Sequence, residues 1–327
     1  MSKINQILLI CFLGQIALIA GMQMTEDNQQ AIKPSKVFTN LDLKTATKVE
    51  IKAPLNQSTK HDNEFVLSKE GEQWRLNDAE NYPADNAKLK QLLENISRIK
   101  SGQLVTSSAN YHNKLKVADD NYERKLSVWV GEESRSFYLG TANGRERCHF
   151  RLEGSPDVYL AEGLLPWDVY DVSSGWVDAQ IFTASTDDIW GIRVAVAGKP
   201  PVSIKRSPEG SWTVDGQTEP PNPTKLNAML NKASNIVIDY PVGKIQKPEY
   251  GFNSPTTVIE IVTGTSSTTG IAPKSYSTHK VTLGAEKIIA SNQSYFARVS
   301  GSEWIATVPS WALTKLTDVS SEDLVTK

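Results

Sequence analysis

One helical pattern is written twice in this chain, and nothing else in the sequence restricts the fold as much. Asp85 stands as an N-cap before Leu89, Leu92, Leu93, Ile96 and Ile99, a spacing that sets five apolar side chains on one helical face. Asn222 opens the second copy with Pro223 at the first helical position, and Leu226, Met229, Leu230, Ala233 and Ile236 fall at the same intervals. Two helices with one cap position and one buried face predict a duplicated unit.

The flanking residues repeat as well. In the first half, Val49 and Ile51 alternate about Glu50. Phe65-Val66-Leu67, a turn at Gly71 and Trp74-Arg75-Leu76 then make a hairpin before the helix. Leu104-Val105, the alternating run Leu126 to Val130, Phe137-Tyr138-Leu139, a turn over Gly140 to Gly144, Phe150-Arg151-Leu152 and Val158-Tyr159-Leu160 follow it. In the second half, Ile192 and Val194, the hairpin ending in Trp212, the helix, Val258 to Ile261, Val281-Thr282-Leu283-Gly284, Tyr295 to Val299 and Trp304-Ile305-Ala306 answer them in order. Tyr250-Gly251-Phe252 answers Tyr111, and Thr263 to Ser277 reads as an inserted loop. The predicted class is α+β: two tandem units, each a mostly antiparallel sheet with one main packed helix. The boundaries are a cytoplasmic tip and transmembrane anchor at 1–24, a tether at 25–36, repeat units at 37–182 and 183–320, and a tail at 321–327. Trp176, Ile181 and Phe182 make the join between the units a packed connection.

Length agrees, since 327 residues suit two domains of roughly 140 residues. The run Ile7 to Met22 is broken only by Gln15, follows Lys3 and precedes Glu26 and Asp27. It approaches the roughly 20 residues that span a bilayer, and the charge asymmetry puts the bulk of the chain outside the cytoplasm. A cleaved signal peptide is the rival reading, but no small-x-small pair sits well at the end of the run. The expected location is therefore the inner membrane, single-pass, with the folded part periplasmic. A net charge of −2 without a long basic run argues against nucleic acid as a partner. The cysteines, Cys11 and Cys148, offer no disulfide within one folded unit, and Cys148 reads as a buried thiol.

The residues give no catalytic or metal constellation, and no cofactor is expected. His61, His112, His149 and His279 lack a metal spacing, and Cys148 beside His149 points to the opposite face of a strand. Asp119-Asp120 and Asp187-Asp188 read as turn or solvated carboxylates, with calcium or catalytic use as the alternative. No Gly-x-Ser-x-Gly elbow or phosphate-binding glycine loop is present. Trp74, Trp212, Trp167 and Trp311 recur in equivalent places and read as core or joint residues. Trp129, which faces away from Val128 and Val130, and Trp190, which has no counterpart in the first half, are the contact candidates.

FVLSKEGEQWRL, YPADNAKLKQLLENI, FYLG and VYLAEGLLPW resemble a bacterial family of membrane-anchored proteins with a repeated domain of unknown function, the 4340 domain family. Its members are often encoded beside gliding-motility-type ABC transporter components. The shared motifs are fold signatures: turn glycines, a tryptophan, a capped helix and a Leu-Gly strand end. The resemblance implies a membrane-anchored extracytoplasmic binding or scaffold protein, accessory to an ABC transporter permease or an envelope assembly and non-catalytic. A ligand-binding module with a pocket between the units, and an envelope hydrolase with carboxylates assembled by the fold, are the alternatives. Two or more of Asp119, Asp120, Asp187, Asp188 and Glu260 in one shielded cleft would favour the hydrolase.

Overall fold

A computed structural model describes residues 14–15, 35–38, 41–54, 63–264, 273–289 and 292–326. In the first half, the strands are β1 (Ser35–Lys36), β2 (Lys48–Lys52), β3 (Glu64–Glu70), β4 (Gln73–Leu76) and β5 (Tyr82–Pro83), followed by helix α1 (Asn86–Arg98). Then come β6 (Lys100–Thr106), β7 (Arg124–Val130), β8 (Glu133–Asn143), β9 (Arg147–Leu152) and β10 (Val158–Glu162). The connection carries β11 (Gln180–Thr183). The second half has β12 (Ile189–Val196), β13 (Val202–Arg206), β14 (Trp212–Val214), helix α2 (Pro223–Ala233), β15 (Asn235–Val237) and β16 (Tyr240–Gly243). It closes with β17 (Thr257–Thr263), β18 (Ser277–Ile289), β19 (Asn292–Val299), β20 (Ile305–Pro309) and helix α3 (Ser310–Thr317). The protein is therefore α+β and dominated by antiparallel sheet.

The first large sheet has the order β1-β6-β10-β9-β8-β7-β2-β3-β4-β5 and the second β14-β13-β12-β17-β18-β19-β20-β16. Read from β16 backwards, the second sheet repeats the first from β6 to β4, strand for strand. Register repeats too: Val49 and Ile51 lie opposite Val128 and Leu126, while Ile192 and Val194 lie opposite Ile261 and Ile259. β11 pairs with β15 in a separate two-stranded ribbon.

Both helices form as their caps dictate. The Asp85 carboxylate accepts from the Ala87 and Lys88 amides at 2.9 and 3.2 Å, and the Asn222 side-chain oxygen accepts from Thr224 and Lys225 at 3.1 and 3.2 Å. Leu89, Leu92, Leu93 and Ile96 enter the first core, and Leu226, Met229, Leu230 and Ala233 enter the second. After each helix the chain turns to strand and buries one more apolar residue, Ile99 and Ile236.

Gly140 does not begin a turn, as the sequence suggests. β8 runs on to Asn143, and the turn falls at Gly144, where φ is 76°. Gly140 sits instead at a register shift between Leu139 and Ala142, a β-bulge that presses the strand against the Leu115 carbonyl. Gly284 sits at the matching shift between Leu283 and Glu286, against the Tyr250 carbonyl. By this contact Leu115, not Tyr111, holds the place of Tyr250, and Tyr111 is exposed.

The ends of the chain are more ordered than composition suggests. Ser35 and Lys36 pair with β6, so the tether expected at 25–36 ends in a strand. Within the supposed tail, Leu324 is buried and its carbonyl accepts from the Asn222 amide at 2.7 Å. Among the described residues no helix is long and apolar enough to cross a membrane. Apart from residues 14 and 15, the expected anchor lies outside them.

The connection is packed, as expected. Trp176 is 1 % exposed in the first core, and Phe182 belongs to the second. A second joint links the edge strands β5 and β16. Tyr82 packs on Trp304 with ring centroids 5.0 Å apart, and the Lys244 ammonium lies 4.3 Å over the same indole. Glu80 and Asn81 adopt left-handed backbone, φ 54° and 64°. This turns the Glu80 carboxylate onto the Lys244 and Ile245 amides at 2.6 and 3.0 Å. Glu80→Ala is expected to lower stability by about 1 kcal/mol, below the roughly 1.5–3 kcal/mol of bonds to charged groups because these bonds are exposed, as read from urea unfolding. An unchanged midpoint would show that water replaces the carboxylate without loss.

Candidate functional site

The same cleft is built in both halves. In each, a short 3-10 turn precedes the first core strand: Leu43–Thr45, capped by Asp42, and Thr186–Asp188, capped by Ser185. Each turn faces the first hairpin and one side of the main helix. Trp74 lies opposite Lys69 across the first hairpin, and Trp212 lies opposite Arg206 across the second. The first cleft, about 660 Å³, lies between Leu43, Lys69, Trp74, Asn86, Lys90 and Leu93. The second, about 300 Å³, lies between Thr186, Arg206, Trp212, Asn227 and Asn231, with Asp187 at its wall. Both volumes suit small ligands.

The two clefts differ in what their polar groups already do. In the first, Lys69 pairs with Glu72 at 3.4 Å. The Asn86 side chain donates from Nδ2 to the Glu72 carbonyl at 3.0 Å and accepts at Oδ1 from the Trp74 amide at 2.9 Å. In the second, Arg206 donates from Nη1 to the Asp187 carbonyl at 3.1 Å and lies 5.0 Å over the Trp190 ring. Its buried Nε has no hydrogen-bond partner, and the guanidinium faces no carboxylate within ion-pair distance among the described residues. A third cleft, about 480 Å³, runs along α3 past Glu286, Tyr295 and Asp318. Burial first, and then those two carboxylates, push the Tyr295 phenol upward.

The residues singled out by sequence are placed apart. Trp190 is 5 % exposed, its Nε1 donates to the Gly264 carbonyl at 3.0 Å, and Tyr276 stands edge-on at 5.8 Å. Its ring is thus covered by its own chain. Trp129 is half-buried, with the Lys48 ammonium 4.2 Å over its ring. Asp119 accepts from the buried Arg151, whose other nitrogens reach the Val117 and Ser155 carbonyls. The bond from Arg151, and then one from Tyr138, hold the Asp119 carboxyl below its usual range, and Asp119 balances a buried guanidinium. Glu260 pairs with Arg193 at 3.6 Å on another face of the second sheet. No described cleft holds two of Asp119, Asp120, Asp187, Asp188 and Glu260. The described clefts each lie within one half; at the joint stands the Tyr82–Trp304 contact.

His112 bonds the Pro156 carbonyl at 2.9 Å, His149 bonds Thr141, and His279 bonds the Thr263 hydroxyl at 3.0 Å. His61 and Cys11 lie outside the described residues. Among the described residues, no three metal-binding side chains cluster. Cys148 is buried and donates to the Leu164 carbonyl at 3.4 Å. Burial, and then the charge of Asp168, push its thiol up to about 12, and burial pushes the Tyr82 phenol up to about 12. Because both pKa values are raised on folding, the stability they confer is full below the unfolded values and is lost as pH rises toward 12. The urea midpoint is expected to fall steadily above pH 9. Iodoacetamide is expected to leave native Cys148 unmodified at pH 8; rapid alkylation, or a midpoint flat to pH 11, would contradict this.

Trp167 and Trp311 depart from the expectation of core or joint. They are 57 % and 59 % exposed, each just after the last strand of its sheet. In α3 the neighbours Ala312, Leu313 and Leu316 are buried, so helical spacing turns Trp311 outward.

A family model described as Domain of unknown function (DUF4340) matches residues 74–255, more than half of the chain. The chain belongs to that family. In this DUF4340 protein the matched segment starts at Trp74 on β4 and ends before β17. It therefore takes in both capped helices, both hairpin tryptophans, Glu80, Arg206, Asn227 and Asn231. Searches of the curated proteins and of the solved structures each found no match.

Arg206, Asn227 and Asn231 carry no site signature in the sequence. The available signals were the position of Arg206 across from Trp212, as Lys69 is across from Trp74, and the one-turn spacing of the two asparagines.

Proposed function

We propose that this DUF4340 chain is a membrane-anchored, extracytoplasmic, non-catalytic binding or scaffold protein. Its two units derive from one duplicated sheet-and-helix body and hold a partner of an ABC transporter or envelope assembly beside the bacterial inner membrane. The observation that carries this reading is the paired exposure of Trp167 and Trp311. A large aromatic side chain is presented at the same place after the last strand of each sheet, and exposed tryptophan is enriched where proteins meet partners. The matching strand orders support the duplication, and the apolar run Ile7 to Met22 supports the anchor. With the amino terminus in the cytoplasm, the short polar stretch before β1 keeps both units near the bilayer.

The test is photo-crosslinking in living cells from a benzoyl-phenylalanine at 167 or 311, with adducts identified by mass spectrometry. One defined membrane or envelope protein, recovered from both positions and resisting alkaline extraction together with this chain, is the expected result. Adducts absent from both positions, or a chain released by alkali, would overturn the reading.

A further inference from the structure

We infer that the cleft of the second unit, between the 3-10 turn Thr186–Asp188, the hairpin β13–β14 and helix α2, binds a small monocarboxylate with a flat apolar body. The inference is independent of the scaffold reading and concerns a ligand, not a protein partner.

The charge comes from Arg206. Its guanidinium carbon lies 5.0 Å over the Trp190 ring, and its Nη1 donates to the Asp187 carbonyl at 3.1 Å. Its Nε is buried without a hydrogen-bond partner, and no carboxylate of the described residues lies within ion-pair distance. This half-buried guanidinium spends one nitrogen on the Asp187 carbonyl and keeps its other donors for an anion. Arginine donates two parallel bonds from one planar fork, which matches a carboxylate.

The remaining walls supply donors and a floor. Asn227 and Asn231, one turn apart on α2, line the same cleft with the Thr186 hydroxyl, and none of the three side chains has a hydrogen-bond partner among the described residues. Trp212 is half-buried and Leu230 is buried, and together they give a flat apolar floor. About 300 Å³ is room for a small organic acid. The Asp187 carboxylate is exposed at the wall, and its negative charge favours a singly charged ligand over a phosphate dianion. The matching cleft of the first unit is larger, but its Lys69 and Asn86 are already bonded to Glu72 and to the hairpin backbone. The inference is therefore restricted to the second.

The experiment titrates the full chain in detergent with benzoate, benzamide and inorganic phosphate at constant ionic strength. Binding is followed by the ¹⁵N–¹H resonance of Arg206 Nε and by the Asn227 and Asn231 side-chain amides. Benzoate is expected to give saturable shifts at all three, with benzamide and phosphate at least tenfold weaker. Arg206→Lys, which keeps the charge and loses the fork, is expected to weaken benzoate at least tenfold. Asn231→Ala, at an exposed helix position that leaves the fold intact, is expected to weaken it severalfold. Equal binding of benzamide would overturn the role of the charge, equal binding of phosphate would overturn the carboxylate, and absence of a saturable shift with benzoate would overturn the site.

Discussion

Gly284→Ala is expected to cost about 3 kcal/mol, and Gly140→Ala a comparable amount. A Cβ on Gly284 would stand 1.8 Å from the Tyr250 carbonyl oxygen, and one on Gly140 would stand 2.1 Å from that of Leu115. The obstacle in each case is backbone, so no rotamer change relieves it. The strand has to leave its bulge or the preceding segment has to move. Overpacking of this kind costs about 1–3 kcal/mol and sometimes more, and a direct backbone clash belongs at the upper end. The two positions share their register shift as well as their contact, so the penalties should be similar. Urea unfolding of each variant, with far-UV circular dichroism to verify folding, reads the effect. A loss under 0.5 kcal/mol at either site would mean that the close approach is not a constraint on the fold.

Trp176→Ala is expected to cost about 3–5 kcal/mol, the range for truncating a buried large aromatic side chain. Trp176 lies on the connection between the halves, yet its side chain is among the largest that are fully buried. Tyr170 meets its ring edge-on at 5.3 Å, and its Nε1 donates to the Tyr170 carbonyl at 3.1 Å. Its own carbonyl accepts from the amide of Asp85, the cap of α1, at 2.8 Å. Removing the ring therefore opens a cavity in the first core and loosens the start of the helix packed there. Trp176→Phe keeps most of the volume and loses the N–H, so it should cost clearly less. The comparison is made by thermal and urea unfolding; equal losses for the two variants would assign the effect to the hydrogen bond alone.

The parts of this fold that were legible in the sequence are those fixed within one element. A helix face follows from a spacing near 3.6 and a cap, which is why Leu89 to Ile96 and Leu226 to Ala233 read correctly. Alternation placed Val49, Ile51, Ile192 and Val194 in the cores. Strand order was not legible, because β10 lies between β6 and β9 through pairings distant in the chain. Gly140 looked like a turn because a bulge and a turn ask for the same residue; only the Leu115 carbonyl distinguishes them. Trp167 and Trp311 looked like core because recurrence and size were the available cues, and the direction of the first turn after the last strand decides exposure. The cleft around Arg206 was hidden for a related reason: three separate segments meet there, and each by itself reads as an ordinary turn, hairpin or helix surface.

Read from β16 backwards, the strand order of the second half follows that of the first from β6 to β4. Amide hydrogen exchange measured residue by residue reads this correspondence, because protection follows position in a sheet. Two matching maps are expected, with β2, β7 and β8 slowest in one half and β12, β17 and β18 slowest in the other, while the end strand β14 exchanges early. A map in which β12 or β17 exchanges as an edge strand, or in which one half is protected and the other is not, would contradict it.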